Sequence, residues 1–252
     1  MTHVVAIIQA RMSSTRFPGK VLRPLLGMPL IAFMAQRVRA AQRISDLAVA
    51  TSTDHSDDQL AVVLQDHGVP CFRGDLNDVL DRFFRAAQQY QPDIVVRLTG
   101  DCPLIDPGVI DAVIGALETS GADYASNVDP PTFPDGLDVE CCRFSALERA
   151  WREARLPSER EHVTPYLRTR KDLFRSVNVR SLADFSDLRW TVDYPDDLAL
   201  ITELLRRAGG SHPAACDRFD FYRVMEGAPD LAALNHHPRN EGYAQSLARE
   251  ES

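Results

Sequence analysis

The sequence predicts an α/β fold built around a mostly parallel sheet. Short apolar runs of strand length (4–8, 47–51, 94–98) alternate with segments of helical periodicity as far as Thr119, the pattern of successive β-α-β units. Two of these runs open directly into polar, glycine-containing loops, and an open parallel sheet holds its ligand beyond the carboxyl ends of its strands. At 252 residues the chain has room for one large domain with a sizeable core, or one domain and an appendage.

The elements follow in order. Val4 to Ile8 is apolar throughout and reads as a buried strand. The loop after it carries Arg11, Arg16 and Lys20, with Ser13, Ser14 and Thr15 between them and a Pro18-Gly19 turn before the lysine. It reads as polar and exposed. Pro29 opens an amphipathic helix expected to reach about Arg43, with Leu30, Phe33, Met34 and Val38 on one side. Residues 47–51 form a short strand. Ser56-Asp57-Asp58 starts a helix that Gly68 stops. A brief strand (69–72) and a helix (77–90) come next, then the buried strand 94–98 and the helix 107–119. The middle is less regular, with a strand at 123–127, a loop dense in turn formers at 130–136, and a half-buried strand at 137–141. Helices are expected over 145–154 and 159–170, the second with Pro165 inside it. Residues 174–179 and 188–192 read as strands, the latter ending in Asp193, and 195–208 as an amphipathic helix closed by Gly209-Gly210. Apolar content falls from Ser211 onward, which divides the chain into a catalytic body, 1–210, and a C-terminal helical appendage, 211–252.

A net charge of −8 argues against a nucleic-acid-binding protein, which would present a basic face. It also isolates the basic first loop within an acidic whole. No apolar run is long enough for a membrane span. The chain enters its first strand with no charged and apolar leader, and its five cysteines are odd in number without C-x-x-C spacing. Both features point to the cytoplasm and to reduced thiols, with no zinc site.

The first loop is a place to hold phosphates: backbone N–H groups and hydroxyls donate, and three cations neutralise negative charge. It has neither the Walker spacing nor the dinucleotide fingerprint. Only two lysines, Lys20 and Lys171, occur in this arginine-rich chain, so a lysine kept in this loop argues for a compact point charge. The segment after residue 98 places Asp101 at a strand end beside Gly100, in TGDCPLID, and WTVDYPDDL places Asp193 at the end of another.

The stretch R-x-x-S-x-R-F-P-G-K after an N-terminal strand resembles the signature of the sugar nucleotidyltransferases, and most closely the cytidylyltransferases that activate 3-deoxy sugar acids. The further stretches FRG-x4-VLDR, RLTGDCPLID, PDGLDVE, REHVTPY, WTVDYPDDL and RNEGY resemble the spore-coat-polysaccharide branch, relatives of CMP-Kdo and CMP-acylneuraminate synthetases. The resemblance implies a doubly wound sheet of the nucleotidyltransferase (Rossmann-like, nucleotide-diphospho-sugar transferase) type, CTP as donor, and a homodimer. Carried over, Arg11, Arg16, Lys20 and Asp101 are the catalytic set, and Asp101 and Asp193 bind Mg²⁺, an ion suited to hard carboxylates, waters and phosphate oxygens. Gln9, Ala10, Arg11, Ser13, Ser14 and Lys20 would hold the nucleotide. Ala50 and Thr51 would border it, and Arg73, Gly74 and Asp78 would close the base pocket. Asp135, Asp138, Glu140, Glu161 and His162 are the acceptor-side candidates. The resembling synthetases carry Glu after the metal-binding Asp where this chain has Cys102, which leaves the acceptor open.

The expected reaction is attack of an acceptor hydroxyl on the α-phosphorus of CTP with loss of pyrophosphate. An anionic acceptor is expected because Arg73, Arg97 and Arg160 lie in or beside the motifs and a guanidinium suits a carboxylate; an acidic sugar of the 3-deoxy-2-ulosonic or nonulosonic type meets that demand and is what the resemblance implies. The alternatives are a phosphonate or phosphorylated acceptor, or a glycosyltransferase with a related sheet. Those enzymes usually show a D-x-D motif, and no two aspartates in this chain are separated by a single residue. A nucleotide-binding pseudoenzyme is disfavoured by the intact Lys20, Asp101 and Asp193.

Overall fold

The structure is a computed structural model that describes residues 2–239 and 241–250. In chain order its elements are β1 (Val4–Gln9), β2 (Pro24–Leu25), β3 (Met28–Pro29), α1 (Leu30–Arg39), β4 (Asp46–Ser52), α2 (Asp58–Asp66), β5 (Cys71–Gly74), α3 (Val79–Gln88), β6 (Ile94–Thr99), α4 (Pro107–Ser120), β7 (Tyr124–Ser126), β8 (Glu140–Arg143), α5 (Phe144–Glu153), α6 (Pro157–His162), α7 (Pro165–Thr169), β9 (Ser176–Asn178), α8 (Pro195–Arg207), α9 (Arg218–Gly227), α10 (Pro229–Ala232) and α11 (Glu241–Glu250). A seven-stranded sheet runs in the order β5-β4-β1-β6-β8-β7-β9. β5, β4, β1 and β6 pair in parallel; β8 alone is reversed, pairing antiparallel with both β6 and β7.

The apolar run of β1 is explained by its two covered faces. Val4, Ala6 and Ile8 join one core with α1, α2, α4 and α8, and Val5 and Ile7 join the other with α3, α5 and α7. A strand buried on both sides has no solvent face and so no polar alternation. The chain builds outward from β1 through β4 to β5, then crosses to β6 on the other side. The strand order therefore reverses between β1 and β6, and a crevice opens there beyond their carboxyl ends.

Several elements differ from expectation for identifiable reasons. α1 stops at Arg39 because the amides of Gln42 and Arg43 donate to the Asp111 carboxylate of α4 at 3.0 and 2.9 Å. The strand expected at 137–141 begins only at Glu140, and its first three residues are buried. Before it, the Asn127 side chain takes the place of a partner strand, donating to the Leu137 carbonyl and accepting from Val139 N–H, both at 2.8 Å. The helix expected over 159–170 is two helices, α6 and α7, separated at Val163, whose φ is +72°. Residues 188–192 are extended but join no sheet: Trp190 N–H donates to the Asp135 carbonyl at 2.5 Å and Val192 N–H to the Asp101 carbonyl at 2.8 Å. That segment ties two loops together instead of extending the sheet.

From residue 211 onward the chain lies against the body. Arg37, 1% exposed, donates to the carbonyls of Pro213 and Cys216, Phe221 packs edge-on against Trp190, and α11 rests on α6.

Candidate active site

The site starts at the crevice between β1 and β6. Gly100 N–H donates to the Gln9 carbonyl at 2.8 Å, and a Cβ at Gly100 would lie 2.8 Å from that of Ala10. Only glycine lets the two strand ends close up here. From Ala10 the first loop leaves the sheet, pinned at its root by Asp57. That fully buried carboxylate accepts from Met12 N–H at 2.7 Å and from the amide and hydroxyl of Ser52. The Met12 carbonyl in turn accepts from Ser14 and Gly19, so the loop folds back and delivers Lys20 over the crevice.

Lys20 is 8% exposed, against the expectation of an exposed loop. Its Nζ lies 2.8 Å from Asp101 Oδ2 and 2.8 Å from Asp193 Oδ1. Burial disfavours its charge, but the two carboxylates outweigh burial and hold the ammonium above its usual range. Asp101 follows the same logic in reverse: burial pushes its carboxyl up, and Lys20 more than offsets this. Asp193 sits far below the ordinary carboxylate range despite burial, because Lys20 and then Arg16 hold it. Arg16 NH2 is 2.6 Å from Asp193 and NH1 is 3.4 Å from Glu241, which also accepts from the Tyr194 hydroxyl. Behind Asp193, buried Arg189 bonds Asp193 at 2.9 Å, Asp135 at 2.7 Å and Asp197 at 3.1 Å.

Two cavities meet at this cluster. The larger, about 350 Å³, is walled by Gln9, Ala10, Arg11, Ser14, Arg16, Lys20, Arg82, Glu161 and residues of α11. The smaller, about 200 Å³, is walled by Cys102, Asp135, Asp138, Glu140, Thr164, Arg168, Arg189 and Tyr243. Arg16, Arg97, Thr99, Asp101, His162 and Asp193 line both. The larger has the phosphate-loop chemistry and the smaller adjoins it across the Lys20 cluster.

Most expected site residues therefore converge, but not all. Ser13 points to solvent, and Ala50 and Thr51 are buried in β4 without lining either cavity. Arg73 donates to the Ser52 carbonyl and pairs with Asp58 at 2.7 Å. Gly74 makes room for the Arg82 stem, since a Cβ there would lie 3.0 Å from Arg82 Cγ. Asp78 caps α3 and pairs with Arg160. Glu161, expected on the acceptor side, lines the larger cavity, where it accepts from Ser246 at 2.9 Å.

The three arginines that argued for an anionic acceptor are all neutralised: Arg73 by Asp58, Arg160 by Asp78, and Arg97 by Glu140 at 2.5 Å. Each of these arginines finds its carboxylate within the fold, so none of the three is left over for an anionic acceptor. His162 is half-buried, edge-on to Tyr243, and hydrogen-bonds Ser246, and burial pulls its imidazole down to about 4. Asp138 keeps 24% of its side chain exposed on the cavity, yet burial outweighs Arg239 and pushes its carboxyl up to about 7.

Arg97 was expected near the site and lines both cavities; Arg168, Arg189, Glu241, Tyr243 and Ser246 line the walls without having been expected there. Arg97 carried a signal, a charge inside an otherwise apolar strand. The RNEGY stretch was noticed without a role. Its Asn240 lies outside the described residues.

The family model described as cytidylyltransferase matches residues 5–201. The spore coat polysaccharide biosynthesis protein SpsF of Bacillus subtilis is 36% identical over 221 residues, 83% of this chain and 89% of that protein. A 3-deoxy-manno-octulosonate cytidylyltransferase of Anaeromyxobacter sp. is 44% identical over 121 residues, 47% of this chain and 48% of that enzyme. Among solved structures, a cytidylyltransferase from Leptospira borgpetersenii superposes with a TM-score of 0.87 at 31% identity, covering 95% of this chain and 100% of that one.

Proposed function

Because this chain belongs to the cytidylyltransferase family, related to the CMP-Kdo synthetases, we propose that it transfers CMP from CTP to the hydroxyl of an acidic sugar and releases pyrophosphate. One observation carries the reading: Lys20 is seated between Asp101 and Asp193 where a basic cavity meets a smaller polar one. The larger cavity takes the nucleotide, with Arg11, Ser14, Arg16 and Lys20 on the triphosphate. The smaller presents the acceptor, whose hydroxyl attacks the α-phosphorus while pyrophosphate leaves over the loop cations. The residues have little covalent work to do. They position the reactants and neutralise charge.

The donor set fits Mg²⁺: two carboxylates, both hard oxygen ligands, converge on a single cation position now spanned by the Lys20 ammonium. Asp101 and Asp193 would hold the ion, which when bound supplies Lewis-acid neutralisation of phosphate charge. The reading extends to a cytoplasmic homodimer. Among the described residues no helix is long and apolar enough to cross a membrane.

The test is pyrophosphate release from CTP, UTP, ATP and GTP against sugar acids, phosphonates and sugar phosphates, with and without Mg²⁺. CTP consumption that requires an acid acceptor and the metal is expected. Turnover of UTP with a neutral sugar or a sugar 1-phosphate would move the enzyme to another acceptor class.

A further inference from the structure

The acceptor-side cavity is crowded with charge, and almost all of it is matched. Each of its six lining carboxylates lies within ion-pair distance of a cation: Asp101 on Lys20, Asp135 on Arg189, Asp138 on Arg239, Glu140 on Arg97, and Asp193 and Glu241 on Arg16. Read from the cations, three of the four lining arginines (Arg16, Arg97 and Arg189) are engaged in this way. Arg168 is different. Among the described residues it forms no ion pair within 4.0 Å; its guanidinium lies over the Tyr243 ring, 5.0 Å from the centroid, and although burial disfavours its charge, the more distant Glu140 and a hydrogen bond to Tyr243 hold it above its usual range.

We propose that Arg168, steadied on Tyr243 of α11, is the residue that reads the anionic group of the acceptor, a carboxylate, and so sets acceptor class. The assignment rests on the reading of this cavity as the acceptor compartment. A half-buried guanidinium retains its fixed charge and planar fork, and a carboxylate in reach of it gains two parallel charge-assisted hydrogen bonds. Placing the same carboxylate anywhere else on the wall would require it to displace an existing pair, leaving a buried charge unmatched. Tyr243 covers a face of the guanidinium, and both residues line the cavity. The preference for an acidic acceptor thus comes from the one lining arginine without a close ion pair and not from Arg73, Arg97 or Arg160.

The experiment compares the wild-type protein with Arg168→Met, which keeps the unbranched stem and removes the charge, and Arg168→Lys, which keeps the charge and removes the fork. CTP binding is measured by calorimetry without acceptor. Turnover is then measured with 3-deoxy-manno-octulosonate and N-acetylneuraminate as probes, each beside its C1 carboxamide. Arg168→Met should raise the acceptor KM on the order of 100-fold, the effect of losing a charge-assisted pair, with CTP affinity unchanged. The preference for acid over amide should collapse in the same variant, and Arg168→Lys should restore part of it. An unchanged acid-to-amide ratio in Arg168→Met overturns the assignment, as does a parallel loss of CTP affinity, which would mark a structural role. Wild-type protein that binds CTP but uses neither acid, or prefers the amides, overturns the assignment and leaves cytidylyl transfer standing. Failure of the wild-type protein to bind CTP overturns the underlying reading.

Discussion

A lysine 8% exposed between two carboxylates is a structural part as well as the proposed grip on phosphate. Lys20→Met strips Asp101 of its cation and should destabilise the protein by about 3 kcal/mol, the usual cost of breaking a buried pair, while abolishing turnover. Arg16 differs: its side chain is 26% exposed and Asp193 keeps Lys20 and Arg189. Arg16→Ala should therefore cost no more than about 1 kcal/mol yet slow pyrophosphate release severely. Urea titration beside initial rates separates the two. Asp101→Asn and Asp193→Asn should each reduce the rate on the order of 1,000-fold or more, and near-normal rates at limiting Mg²⁺ would remove that residue from the metal site. Two half-buried groups at the cavities also make opposite contributions to the pH profile of stability. His162, pulled down to about 4 by burial, binds its proton less well folded than unfolded, so its contribution is present above its ordinary value and lost as pH falls toward 4. Asp138, pushed up to about 7, binds its proton better folded, so its contribution is present at low pH and lost as pH rises to 7. The two oppose each other between about pH 4 and 6.5. His162→Gln should leave stability falling as pH rises through that window, and Asp138→Asn should leave it rising. Thermal melts across the window distinguish the signs.

At the scale of elements, the site depends on segments that belong to no sheet. Gly136 has φ +110°, and a Cβ there would lie 2.5 Å from the Trp190 carbonyl carbon. Only glycine permits the Asp135 loop to lie on the 188–192 segment, and that contact places Asp193 beside Asp101. Gly136→Ala should cost roughly 3 kcal/mol through backbone strain and close contact, lowering Tm by roughly 6–12 °C. A melting temperature within a degree of the wild type would show the contact to be slack. α11 forms a wall of both cavities, yet Ser246 is its one buried residue among those described. A chain ending at Pro238 should therefore retain its fold, as judged by circular dichroism, and lose CTP binding and turnover together.

For the molecule as a whole, a net charge of −8 surrounds a cavity walled by Arg11, Arg16, Lys20, Arg82 and Arg97. Burial holds the Arg82 guanidinium below its usual range, and the charge of Arg11 adds to this. Such a field draws a polyanion inward and is screened by salt. Raising ionic strength from about 0.05 to 0.5 M should raise the KM for CTP on the order of 10-fold and that for the acceptor less, since the smaller cavity is nearly charge-matched. Equal responses of the two constants would count against separate compartments.

The alternation of apolar runs and amphipathic helices was enough to determine the parallel sheet and its helices, because strands buried on both faces and helices with one wet side leave period-specific patterns. The first loop and the two strand-end aspartates were legible for the same local reason: Arg, Lys, Ser and Gly after a strand announce an anion site wherever the chain then goes. Pairing was not legible. Arg73 and Arg160 stood in motifs yet were bound to Asp58 and Asp78, and Arg168, two residues past REHVTPY, was left without a close ion pair on the wall of the smaller cavity. The reversed strand β8, the sheet-free segment at 188–192 and the return of α11 over both cavities were likewise decided by tertiary contacts. Charge neutralisation and backbone satisfaction are settled between residues far apart in the chain, and a single sequence records the charges without recording which will meet.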